Sequence, residues 1–70
     1  MAKSVYKVIE LIGTSPKSWE EAAANAVATA SKTLRDLRIA EVVEMDMQIE
    51  EGKVINYRTK LNLSFKYEGT

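Results

Sequence analysis

The strictest constraint on this chain is an alternation of apolar and polar side chains that runs through its second half. From Val43 to Tyr67, apolar residues dominate the odd positions and polar residues the even ones, with an interruption around Glu51-Gly52-Lys53. Because successive side chains of a strand point to opposite faces, the pattern predicts a β-hairpin with one buried, apolar face and one polar face. We predict a three-residue loop at the interruption, in which Gly52 supplies the positive φ of a bulge.

Charge supports one register of this hairpin. With that loop, residues of the same face pair across the two strands, and opposite charges meet directly twice. The expected cross-strand pairs are Glu44 with Lys60, Asp46 with Arg58, and Gln48 with Asn56. Each oppositely charged pair is worth roughly 0.2–1 kcal/mol, so the coincidence favours this register.

The first half of the chain predicts a strand followed by a helix. Residues 4–12 are rich in β-branched and aromatic side chains, and we interpret Gly13 as the terminator of this strand. Two helix starts fit the sequence: Ser15 as N-cap with a proline next, or Ser18 as N-cap with Glu21 three positions later. The helix is expected to run to about residue 35.

The apolar face of that helix consists mostly of alanine, which buries little area per residue. Its predicted members are Trp19, Ala23, Ala26, Val27, Ala30, Leu34 and Leu37. We interpret Trp19 as a packing residue at the helix entrance and not as a ligand platform. With 70 residues and no cysteine, the chain has a small core and no disulfide to support it, so self-association is expected.

Together these elements predict an α+β fold in a single domain over residues 1–70, with the order β-α-β-β. The helical crossover would place the first and second strands parallel, with the third strand between them. The expected architecture is a three-stranded antiparallel sheet with the order 1-3-2, packed against one helix.

Composition argues against several functions. Without histidine and cysteine, the chain lacks the commonest general base and a thiol nucleophile, and we expect no enzyme activity. Its ten basic and ten acidic residues give zero net charge, which argues against nucleic acid and acidic membranes as partners. No apolar stretch reaches the roughly 18 residues that span a bilayer, and no signal-peptide pattern precedes the first strand, so we expect a cytoplasmic protein.

Glu44 and Asp46 are the candidate metal ligands in this sequence. They share the polar face of the first hairpin strand, and their oxygens suit a hard cation such as calcium. The alternative is a solvated strand face, neutralised by Lys60 and Arg58. Symmetry that gathers copies of one carboxylate around an axis would favour the metal site.

Four segments of the chain together resemble the dodecin family: residues 5–10, 12–15, 40–43 and 64–66. The resemblance covers nearly the whole length, including the order of strands and helix. It implies small subunits that assemble as twelve copies into a hollow shell. Such shells bind flavins or nucleotide-like ligands for storage and protection rather than turnover.

The resemblance also implies where a ligand binds. Flavin-binding members carry tryptophan at the position of Ile39 and glutamine at the position of Arg58. The chain is therefore similar to the branch without the stacking tryptophan, which is associated with calcium. We predict a ligand site of Ile39, Asp46, Arg58 and Lys66 for weakly bound FMN or riboflavin, with the basic residues on phosphate or ring carbonyl oxygens. The alternatives are calcium at Glu44 and Asp46, and a purely structural or protein-interaction assembly.

Overall fold

A computed structural model of the chain describes residues 4–67, which form one helix and three strands. In chain order these are β1 (Tyr6–Ser15), α1 (Trp19–Ala30), β2 (Leu37–Glu50) and β3 (Lys53–Lys66). β3 pairs with both other strands in antiparallel orientation, so the sheet order is β1-β3-β2. The predicted fold class is confirmed. Within the described residues, no helix is long and apolar enough to cross a membrane.

Gly13 lies inside β1 and determines how closely α1 approaches the sheet. The strand continues through it to Ser15, and Gly13 pairs with Thr59 of β3. A Cβ atom at Gly13 would lie 2.0 Å from the carbonyl oxygen of Ala22 and 2.9 Å from the Cβ of Ala26. The interpretation of Gly13 as a strand terminator is therefore wrong, because the strand continues through it. The glycine is needed here because it has no side chain to clash with the helix backbone.

Both candidate serines contribute to the start of α1, and Ser18 is the N-cap. Its hydroxyl accepts a hydrogen bond from the backbone N–H of Glu21 at 3.0 Å. The buried Ser15 hydroxyl accepts a hydrogen bond from the backbone N–H of Lys17 at 2.9 Å and donates one to the Glu21 carboxylate. Ser18 therefore caps the helix, while Ser15 ties the end of β1 to its first turn.

The helix ends at Ala30, before the predicted end near residue 35. The chain then forms a turn in which the backbone N–H of Leu34 bonds the carbonyl oxygen of Ala30 at 2.9 Å. Asp36 follows with a left-handed φ of 59°, which redirects the backbone into β2 at Leu37. Leu34 and Leu37 still pack against the core, but from the connection and from β2 instead of from the helix.

The predicted register of the hairpin is confirmed for all three polar pairs. The predicted loop is wrong, because the turn consists of two residues, Glu51 and Gly52, which both have positive φ, as a type I′ hairpin turn requires. The register then shifts between Gln48 and Ile49, opposite one extra residue of β3, Ile55. A two-residue turn followed by this bulge gives the same pairing as the expected three-residue loop.

The core lies between α1 and the central strand. Leu61 and Leu63 of β3 are fully buried and pack against Ala26 and Ala30 of the helix. The partly buried side chains around them are Ile9, Leu11, Ala23, Val27, Leu34 and Leu37. Alanine supplies most of the buried helix face, so the core of one chain is small, as the sequence predicts.

Trp19 packs at the entrance of the helix, which confirms its predicted role. Its ring lies edge-on to Tyr57, with 5.0 Å between the ring centroids. The indole N–H donates a hydrogen bond to the backbone carbonyl of Asp46 at 2.9 Å, and the hydroxyl of Thr59 donates one to the carbonyl oxygen of Trp19. Trp19 therefore joins the helix to both hairpin strands.

β2 is the least covered element of the fold. Of its 14 residues, only Leu37 is even half-buried. Met45 and Met47 pair with Thr59 and Tyr57 and so lie on the helix side of the sheet, yet they are 58% and 44% exposed. The prediction that this apolar face is buried is wrong for the single chain, because α1 packs mainly on β1 and β3.

Candidate functional site

The sheet face opposite α1, here called the outer face, carries the residues predicted for ligand and metal binding. The leucines of β3 point toward the helix, so the even-numbered residues of that strand point away from it. Their cross-strand partners on β2 share this face. The predicted residues on the outer face are Ile39, Glu44, Asp46, Arg58 and Lys66.

Asp46 and Arg58 form a two-point ion pair on the outer face. The Nε of Arg58 donates to Oδ1 of Asp46 at 2.7 Å, and its Nη2 donates to Oδ2 at 2.9 Å. The hydrogen bond from Arg58, assisted by its charge, holds the pKa of the Asp46 carboxyl below its ordinary value. Asp46 is therefore ionised at neutral pH, and a ligand that uses either side chain competes with this ion pair.

Lys60 lies between two carboxylates on the same face. Its Nζ is 3.4 Å from Glu44 of β2 and 4.0 Å from Glu10 of β1. Across residues 4–67, no three acidic side chains come close enough together to hold a metal ion. A calcium site at Glu44 and Asp46 would consequently need carboxylates from more than one copy of the chain.

Ile39 lies near the opposite end of the outer face. It pairs with Ser64, whose hydroxyl donates to the Ile39 carbonyl oxygen at 3.4 Å, and Val8 pairs with Ser64 from the other side. Ile39 is 66% exposed. Two aliphatic side chains therefore flank a small serine, and this surface offers a ligand an apolar contact without an aromatic ring.

The structure separates the four predicted ligand residues into two groups. Arg58 and Ser64, the partners of Asp46 and Ile39, are six positions apart on β3, or about 20 Å at roughly 3.3 Å per residue. Lys66 lies beyond Ser64, at the end with Ile39. One chain therefore cannot bring both groups to the same small ligand, and a site that uses both needs a second copy.

Lys66 also borders an open cleft that the sequence patterns did not reveal. The cleft has a volume of about 610 Å³ and is lined by Arg35, Asp36, Phe65, Lys66 and Tyr67. The connection before β2 meets the end of β3 here, where the backbone N–H of Lys66 bonds the Asp36 carbonyl oxygen at 3.2 Å. Phe65, Lys66 and Tyr67 are neighbours at the end of the alternating pattern, but no sequence pattern predicted that Arg35 lies near them.

Comparison with known proteins gives one consistent family. A family model described as Dodecin matches residues 5–68. A protein named Calcium dodecin, from Mycobacterium tuberculosis, is 56% identical over 63 residues, which cover 90% of this chain and 89% of the relative. A protein named Dodecin, from Thermus thermophilus, is 44% identical over 66 residues, which cover 94% of this chain and 96% of the relative.

Solved structures agree with the sequence comparisons. A structure described as dodecin from Streptomyces coelicolor superimposes with a TM-score of 0.93 at 41% identity and covers the whole of both chains. The structure of calcium dodecin from Mycobacterium tuberculosis, described as calcium chelating with a novel calcium-binding site, superimposes with a TM-score of 0.84 at 53% identity, over 96% of each chain. The sequence comparisons and the structure comparisons therefore both place this chain among the dodecins.

Proposed function

Because this chain belongs to the dodecin family, we propose that it is the subunit of a hollow, non-enzymatic, cytoplasmic shell of twelve copies that binds small ligands or ions. The observation that carries this proposal is the exposure of β2, an edge strand of 14 residues. A long apolar edge strand is a template for pairing with another chain. Assembly would cover this strand and add the burial that a chain of this size needs.

We propose calcium as the ion, held by Glu44 and Asp46 from several copies. The similarity to a protein named Calcium dodecin supports this choice, as do two carboxylates on one strand face. Calcium takes about six to eight oxygen ligands, and Asp46 is ionised because of its lowered pKa. On binding, calcium would replace Arg58 and Lys60 as the counter-charge.

Flavin is the weaker ligand in this proposal. Ile39 offers an aliphatic contact where flavin-binding members present an aromatic ring, and Arg58 is held by Asp46. Loss of a ring removes roughly 0.5–1.5 kcal/mol per stacking contact beyond the area buried. Lys66, at the border of the cleft, would supply the positive charge for the phosphate oxygens of FMN.

Chelation is expected to remove calcium from the purified protein and to lower its melting temperature. A ligand that binds only the native state stabilises it by about 2.7 kcal/mol at a hundred times its Kd. Elemental analysis and thermal unfolding, each with and without chelator, measure both effects. If chelator changes neither the metal content nor the melting temperature, calcium is not the ligand.

Asp46→Asn is expected to weaken calcium binding at least about tenfold, because it removes a charged ligand from each copy. Glu50→Gln is the matched control, since it neutralises an exposed carboxyl at the end of the same strand, outside the proposed site. Calcium titration followed by calorimetry compares the two variants. Equal affinities would remove Asp46 from the site.

A further inference from the structure

Met45 and Met47 lie on the helix side of β2, on either side of Asp46, whose backbone carbonyl accepts the hydrogen bond from the Trp19 indole. Their cross-strand partners are covered: Thr59 is buried and bonds the Trp19 carbonyl, and Tyr57 packs against the Trp19 ring. The two methionines continue this covered surface outward while remaining 58% and 44% exposed. They are therefore accessible in the free subunit, and they belong to the apolar surface that a second copy would cover.

We infer that Met45 and Met47 form an oxidation-sensitive site that controls self-association. In the free subunit, a hydroperoxide converts them to sulfoxides and blocks assembly, whereas in the assembled shell a neighbouring copy protects them. This inference rests on the proposed assembly, and the neighbouring copy is a second molecule of this same chain.

The chemistry needs only peroxide as co-reactant. The thioether sulfur attacks one peroxide oxygen, an S–O bond forms, and the O–O bond breaks. Sulfur loses two electrons, and the oxygen that it has bound gives up its proton. The departing oxygen takes up a proton and leaves as water from hydrogen peroxide, or as an alcohol from an organic hydroperoxide. The sulfoxide is polar where the thioether was apolar, and reductases can reverse the change.

A polar sulfoxide is unfavourable on a surface that assembly removes from water. A buried polar group without a hydrogen-bond partner destabilises the assembled state. The hydroxyl of Thr59, which faces Met45 across the strands, already donates to Trp19 at 2.9 Å. Oxidation therefore favours the free subunit over the assembly.

The first test oxidises the chain while it is unfolded. The protein is unfolded in urea, treated with hydrogen peroxide, freed of peroxide and refolded by dilution, and its mass is measured by light scattering. Untreated protein is expected to assemble and oxidised protein to remain in small species. The double variant Met45→Leu with Met47→Leu is expected to assemble after the same treatment, since leucine conserves volume and carries no sulfur. Met1 remains in the variant as a control for oxidation elsewhere.

The second test uses the unaltered chain and does not depend on the variant. Peptide mass spectrometry is expected to show oxidation of Met45 and Met47 at least about tenfold slower in the native assembly than in unfolded chain, because susceptibility follows exposure. Equal rates in both states, or normal assembly of oxidised protein, would overturn the inference. If untreated protein is itself a single chain, the proposed assembly fails instead, so the two failures are distinguishable.

Discussion

Replacement of Ile39 by tryptophan is expected to tighten flavin binding at least about tenfold. One stacking contact contributes roughly 0.5–1.5 kcal/mol beyond the burial of the ring, and about 1.4 kcal/mol corresponds to tenfold in Kd. Ile39 is exposed on the outer face, so a larger side chain fits without displacing the core. Quenching of flavin fluorescence during titration with the protein measures the affinity.

Ile39→Leu is the matched control for this experiment, because it keeps an aliphatic side chain of the same volume and adds no ring. The tryptophan variant should bind flavin more tightly than both the leucine variant and the unaltered protein. If all three bind alike, the outer face at Ile39 is not where the ring of a flavin stacks, and the ligand site implied by the family resemblance has to be placed elsewhere.

Gly13→Ala is expected to destabilise the fold by about 3 kcal/mol or more, the upper range for overpacking. Its new Cβ would lie 2.0 Å from the carbonyl oxygen of Ala22, a backbone atom that cannot move without the helix. In a domain of this size, such a loss lowers the melting temperature by at least about 10 °C. Circular dichroism during heating measures the change.

Gly52→Asn provides the control for Gly13, because the hairpin turn offers open space around Gly52 and asparagine tolerates its positive φ of 77°. Its effect is expected to stay below about 1 kcal/mol. A Gly13→Ala protein that melts together with the control would show that α1 does not approach β1 as closely as the structure has it.

The hairpin could be predicted because parity and charge give the same register. Glu44 and Lys60, like Asp46 and Arg58, meet only if the apolar residues of both strands share a face. The turn could not be predicted as easily, since a two-residue turn with a bulge gives the same pairing as a three-residue loop. Local patterns thus determine which residues pair but not how the chain reverses.

The helix end and the role of Gly13 depend on tertiary contacts. Nothing in the sequence after Ala30 breaks a helix strongly, and the chain leaves it because Leu34 and Leu37 reach the core from a turn and a strand. From the sequence pattern alone, Gly13 is interpreted as the residue that ends the first strand. Only the packed helix shows that the missing side chain is needed for close approach.

The sequence predicted which residues share the outer face, but not how far apart they lie along it. Alternation placed the even-numbered residues of β3 and their partners on one surface. The distance of about 20 Å between the Asp46 and Ile39 ends follows from strand length, and it makes each end incomplete in one chain. The second partner of Lys60, Glu10, depends on pairing between β1 and β3, which no charge pattern in the sequence indicated.

Self-association is the central claim, because three proposals depend on it: that β2 is covered, that the two parts of the ligand site come together, and that the two methionines are protected from oxidation. Light scattering coupled to size-exclusion chromatography measures the mass of the native particle directly. Our proposal predicts a single species of twelve times the 7.8 kDa chain, unchanged on dilution. A stable, folded species with the mass of one chain would contradict it.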